Sequence, residues 1–161
     1  MSSDIYQQLP LFRDLKPAQL QLLMPMFVPI DRYADAVLFE QGDPADFLYL
    51  IASGEVTIRY KPEDGSAITV SRVRAGGVVG WSAALGNRQY TSGAICSGYT
   101  QMLRVRGRDL RHLCEEYPET GILILERLAW VIADRLRNTH DQVVELLKQG
   151  VGSGMPSVKE V

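Results

Sequence analysis

The chain has 161 residues, 46% of them hydrophobic and 22% charged, and its 17 Lys and Arg against 19 Asp and Glu leave a net charge of −2. That is the balance of one globular domain, without the basic excess of a free-standing nucleic-acid binder. No apolar run approaches the roughly 18 residues of a membrane span, the opening MSSDIYQQLP has neither part of a secretory signal, and the two cysteines, Cys96 and Cys114, set the expectation of a reducing cytoplasm.

Residues 4–27 carry the first periodic signal. Leu15, Leu20, Leu22, Leu23 and Phe27 are spaced as on a helix, with Pro17 where a helix can begin and Pro25 and Pro29 to end it. From about 28 to 106 the pattern changes to short strands between turns. Ala36–Phe39 precedes Gln41-Gly42-Asp43-Pro44, Phe47–Ile51 precedes Ser53-Gly54, and Glu55–Tyr60 alternates with Val56, Ile58 and Tyr60 on one face. Lys61-Pro62-Glu63-Asp64-Gly65 reads as a hairpin turn, after which Ile68 and Val70 resume the alternation. Gly76-Gly77, Gly86-Asn87 and Ser97-Gly98 divide what remains up to Leu103 and Val105. Many short, evenly punctuated strands predict a barrel or roll and not a parallel α/β sheet.

The period turns helical from about 107. Asp109–Glu116 predicts a short helix stopped near Pro118, and the stretch from there to Lys148 predicts one long helix, with 151–161 a flexible tail. Along the long helix Leu125, Ala129, Ile132, Leu136, Thr139, Val143 and Leu146 recur at intervals of four and three. That is a heptad seam, which buries its apolar side against another helix. A homodimer through this helix is the expectation, and packing of the same stripe on its own domain is the alternative. Thr139 is the polar member of the seam and can fix register or face a ligand.

The screen for chemistry is negative. Two histidines, His112 and His140, and two cysteines offer no zinc spacing, and the strand region holds no histidine for a metal-bearing barrel. There is no Gly-x-Ser-x-Gly elbow, P-loop or dinucleotide fingerprint, and Asp43 and Asp46 read as turn and cap residues. Neither an enzyme nor a metal site is expected.

Several stretches together resemble the cyclic nucleotide-binding domain family, the sensory half of the bacterial catabolite activators. They are Leu11-Phe12 with Leu15-Lys16-Pro17, then Val37-Leu38-Phe39-Glu40-Gln41-Gly42-Asp43-Pro44-Ala45-Asp46, then Leu48-Tyr49-Leu50-Ile51 with Ser53-Gly54-Glu55-Val56. The resemblance covers about residues 8–148. It implies a mainly β fold with flanking helices: an eight-stranded, jelly-roll-like β-roll over about 28–106, an N-terminal helix, helices over about 107–148, and a long C-terminal dimerisation helix. One domain over 1–150 is the expected organisation.

The family's phosphate-binding cassette has a Gly, a Glu for the ribose, a short helix, an Arg for the cyclic phosphate and a Ser, Thr or Ala. The matching segment runs Gly80-Trp81-Ser82-Ala83-Ala84-Leu85-Gly86-Asn87-Arg88-Gln89-Tyr90-Thr91-Ser92. Gly80 fits, and Ala83–Leu85 fits the short helix, whose N–H groups would form an anion site. Trp81 stands where the Glu should be and Tyr90 where the Arg should be, and a phenol cannot copy a bidentate guanidinium clamp. Arg88, two residues earlier, could swing in, and Thr91 and Ser92 can still donate hydroxyl hydrogen bonds. In the long helix Thr139 matches a family residue that faces the base, and His140 replaces a second.

The candidate ligand-binding residues are therefore Gly80, Trp81, Ser82, Arg88, Tyr90, Thr91, Ser92, Thr139 and His140. Two readings stay open. One is a regulatory sensor that takes a cyclic nucleotide (cAMP or cGMP) or another small anionic ligand and signals through the dimer helix. The other is a protein-interaction module, its protein partner unidentified, that kept the fold and lost the ligand. The family's transcription regulators carry a helix-turn-helix after this helix, and none is recognisable before Val161. The expectation is a stand-alone cytoplasmic module, with a chain cut short before a DNA-binding domain as the alternative; in either case it neither binds DNA by itself nor enters a membrane.

Overall fold

A computed structural model describes residues 7–152. Helix α1, Pro17–Leu23, opens with Pro17 at its first position, and the Gln19 side chain accepts the Lys16 amide hydrogen at 3.0 Å. A 3₁₀ turn at Met24–Met26 follows. This helix is shorter than the periodicity of 4–27 predicts: residues 8–14 run through turns, with Asp14 at a φ of 61°. The apolar spacing still serves burial, since Leu23 and Phe27 are buried and Phe12 meets Phe27 edge to face with ring centres 5.0 Å apart.

Eight strands then form two four-stranded antiparallel sheets. They are β1 (Val28–Arg32), β2 (Val37–Phe39), β3 (Phe47–Ser53), β4 (Glu55–Tyr60), β5 (Ile68–Arg74), β6 (Val78–Val79), β7 (Gly93–Cys96) and β8 (Thr100–Arg106). The orders β1-β8-β3-β6 and β2-β7-β4-β5 make the predicted roll, whose neighbours are mostly far apart in sequence. The roll is followed by α2 (Gly107–Glu116) and the 35-residue α3 (Pro118–Gly152). Among the described residues no helix is long and apolar enough to cross a membrane.

Strand β3 explains why Phe47–Ile51 reads as a continuous apolar run. Leu48 and Leu50 pack toward the helices with Leu11, Phe12, Leu103, Leu110, Ile124 and Leu128. Tyr49 and Ile51 point into the roll with Val56, Ile58, Val79 and Met102. A strand covered on both faces needs apolar residues at every position. Strand β5 departs from the reading of its sequence. Ile68 and Val70 are 55% and 48% exposed, and Val73 alone in the strand is buried. The reason is positional: β5 edges its sheet, and its pairing with β4 changes register between Ile58 and Arg59.

On α3, Ile124 and Leu128 face the core, whereas the seam residues Leu125, Leu136 and Leu146 are 44%, 52% and 66% exposed. Leu125 and Leu136 thus lie off the face that docks on the core, whereas Leu146 lines a cleft with Thr69 and Val70 of β5. The side chains of Thr139 and Val143 lie outside the described residues.

The corner between β3 and β4 depends on Gly54. Its φ is +93°, and a methyl group there would fall 2.5 Å from the Tyr99 carbonyl oxygen and 2.7 Å from Thr100 Oγ1. Thr100, fully buried, spends its hydroxyl on the same corner, donating to the Gly98 carbonyl at 3.0 Å. Gly54→Ala combines a left-handed backbone with a clash against main chain. It is expected to lower unfolding free energy by at least about 2 kcal/mol in urea titrations.

Candidate functional site

The candidate site forms where β6 ends. Gly80 sits at a φ of +80°, and a Cβ there would lie 2.8 Å from the Phe47 carbonyl oxygen, so the chain can turn away from β3 only with glycine at this position. Overlapping turns follow over 81–86. The Ala83 amide donates to the Gly80 carbonyl, and the Ala84 and Leu85 amides donate to the Trp81 carbonyl, at 3.1–3.3 Å. The short helix expected at Ala83–Leu85 is therefore a run of turns, stopped by Gly86 at a φ of +79°. The Ala83, Ala84 and Leu85 amides are thus paired within these turns.

Beyond the turns the segment is strapped to the loop after β2. The Tyr90 carbonyl accepts from the Gly42 amide, the Tyr90 amide donates to the Asp43 carbonyl, and the Ala45 amide donates to the Arg88 carbonyl, at 2.9–3.0 Å. Asp43 in turn folds that loop, its Oδ2 accepting the Glu40 amide at 2.9 Å, which is the turn role its sequence context predicts.

Tyr90, at the place of the implied phosphate arginine, is a core residue. It is 5% exposed and stacks on Phe39 with ring centres 3.6 Å apart and planes 15° from parallel. Its hydroxyl donates to the Phe47 carbonyl at 2.5 Å and accepts the Phe47 amide hydrogen at 3.0 Å. Burial pushes its ionisation up to about 12. A neutral phenol so committed cannot hold a phosphate.

Phe39, Ile58, Gly80, Trp81, Ser82, Tyr90, Thr91, Ser92 and Arg135 line a partly open cavity of about 80 Å³. Six of the predicted residues meet there: Gly80, Trp81, Ser82, Tyr90, Thr91 and Ser92. Trp81 is half-buried and packs against the helical core. Arg88 is exposed and does not line the cavity, and its carbonyl accepts the Ala45 amide. His140 is exposed on α3, its Nδ1 3.5 Å from Asp141 Oδ1, and does not reach the cavity within this chain. Thr139 belongs to the residues whose side chains are not described.

Arg135 is the residue that sequence reading missed. It reaches from α3 to the cavity wall, donating to the Val78 carbonyl at 3.1 Å, and burial lowers its pKa. A signal existed: Arg135 lies four residues before Thr139, on the same face of the helix.

The cyclic nucleotide-binding domain family matches residues 32–117. The chain is 29% identical over 150 residues to the CRP-like cAMP-activated global transcriptional regulator of Mycobacterium tuberculosis, covering 89% of this chain and 62% of that protein. The solved catabolite activator protein of Thermus thermophilus superposes with a TM-score of 0.66 at 28% identity, over 86% of this chain and 63% of that one. A cyclic nucleotide-binding domain from Methylobacillus flagellatus reaches 0.76 at 24% identity, over 88% and 80%, a likeness of fold. Against the first curated relatives, the chain spans 62% of their length.

Tyr90→Phe keeps the stack on Phe39 and leaves the Phe47 amide and carbonyl unpaired. It is expected to destabilise the fold by about 1–3 kcal/mol in urea titrations. The pH dependence has a definite sign. Tyr90 ionises near 10 when unfolded and at about 12 when folded, so its contribution is complete below pH 10 and is lost as pH rises toward 12. The wild type should lose about 2–3 kcal/mol more than Tyr90→Phe across that window; parallel curves for the two proteins would contradict the assignment.

Proposed function

The chain belongs to the cyclic nucleotide-binding domain family, and we propose that it is a non-enzymatic regulatory module of that family whose roll does not depend on a cyclic nucleotide. The observation that carries this reading is Tyr90. Where the resemblance implies a phosphate clamp, the chain holds a buried phenol bonded on both sides to the Phe47 backbone. Trp81 fills the place implied for the ribose carboxylate. The cavity between Trp81 and Ser92 holds about 80 Å³, below the roughly 300 Å³ at which ordinary small-molecule pockets begin, and a more open cleft of about 560 Å³ adjoins it at Tyr90 and Thr91. Binding of cAMP or cGMP is accordingly expected to be weak or absent, and the module acts through a protein partner.

One observation favours a second reading. Arg135 brings a guanidinium to the same cavity as the Ser82, Thr91 and Ser92 side chains, which suits a small anion better than a nucleotide. In both readings the output element is α3. Its seam, exposed at Leu125, Leu136 and Leu146, is covered by a second copy of the chain in a homodimer, and regulation consists of biasing two arrangements of that pair.

Titration with cAMP and cGMP to millimolar concentration, read by calorimetry and thermal melting, is expected to leave the melting point unchanged. A saturable rise of several degrees would contradict the proposal. In sedimentation velocity the wild type is expected to run as a dimer without nucleotide, and Leu136→Asp as a folded monomer. A monomeric wild type would remove the dimer from this account.

A further inference from the structure

A second polar cleft shares no lining residue with the cavity behind Tyr90. It is lined by Ala45, Asp46, Arg106, Arg108 and Arg111, with a volume of about 170 Å³. The run from Arg104 to Arg111 (RVRGRDLR) supplies four arginines in eight residues. Arg104 and Arg106 alternate on β8, and Arg108 and Arg111 are three apart on α2, so the strand-to-helix junction turns three of them toward one cleft.

Two of the three are held in place. The Arg106 guanidinium lies over the Phe47 ring at 5.2 Å, beside that of Arg104 at 4.3 Å. Arg111 donates to the Ala83 carbonyl at 2.6 Å. Side chains fixed before binding lose less entropy when a ligand arrives. Asp46 is the carboxylate in the lining, so three guanidinium groups against it leave a surplus of two positive charges, in a chain whose net charge is −2.

We propose that this cleft is an oxyanion site for a phosphate group, taken either as free inorganic phosphate or as the phosphomonoester of a small metabolite. Guanidinium forks match phosphate oxygens in bidentate geometry, and the surplus of two charges matches a phosphate dianion. The volume, below the roughly 300 Å³ of drug-sized pockets, suits a headgroup and not a whole nucleotide. The site stands whether or not the roll takes a ligand.

The test is a titration of the isotopically labelled full chain with inorganic phosphate and, separately, with glycerol phosphate, at constant ionic strength and above the second phosphate pKa. Arginine side-chain N–H resonances are the readout. Saturable shifts at Arg106, Arg108 and Arg111 are expected, with phosphate if the free ion is the ligand and with the ester alone if the group must be carried. Arg108 is exposed, so Arg108→Gln leaves the fold intact and is expected to weaken binding by at least about tenfold. Asp46→Asn removes a facing negative charge and is expected to tighten it. Shifts that fail to saturate with both compounds, or an affinity indifferent to Arg108→Gln, overturn the proposal.

Discussion

The pair of hydrogen bonds between the Tyr90 hydroxyl and the Phe47 backbone fixes where the segment after β6 can lie, because it ties that segment to the first residue of β3 across 43 positions of sequence. Phe47 is also where Gly80 must pass without a side chain and where Arg104 and Arg106 rest their guanidinium groups. Loosening Tyr90 would therefore disturb the cavity wall, the Phe39 stack and the arginine face together. In a cyclic nucleotide-binding cassette of the implied kind, an arginine at this place faces outward to a ligand's phosphate. Here the same place faces inward to the protein's own main chain.

Helix α3 connects this cavity to the exterior. One of its faces, through Ile124 and Leu128, belongs to the core, and Arg135 reaches to the end of β6. Its seam residues Leu125 and Leu136 are left half-exposed by the chain's own core. Through Arg135 the helix that presents the seam touches the cavity wall at Val78.

Much of this was legible in the sequence. Turn punctuation located the strands because each corner needs glycine, proline or a short polar side chain, as at Gly54 and Gly80, and the 4-3 spacing marked a second apolar face on α3. What local pattern could not supply was pairing at a distance. The alternation of Ile68 and Val70 matches that of a buried strand, yet their strand is the edge of its sheet and both are exposed. The leucines around Pro17 are spaced helically, but the turns at 8–14 intervene. Tyr90 was recognisable as a departure from the family pattern, while its partner Phe47 was not, since nothing within a few residues marks it. Arg88 is close to the site in sequence, yet it stands exposed outside the cavity lining. Arg135 came in from another element altogether.

The most direct measurement is native-state hydrogen exchange at the Phe47 amide in the ligand-free protein. If the Tyr90 hydroxyl holds that amide, its protection should approach that of the buried neighbours Leu48 and Ile51 and should not change when cAMP is added. Rapid exchange at Phe47, slowed when the nucleotide binds, would mean that the cassette is fastened by a ligand after all and that Tyr90 is not its anchor.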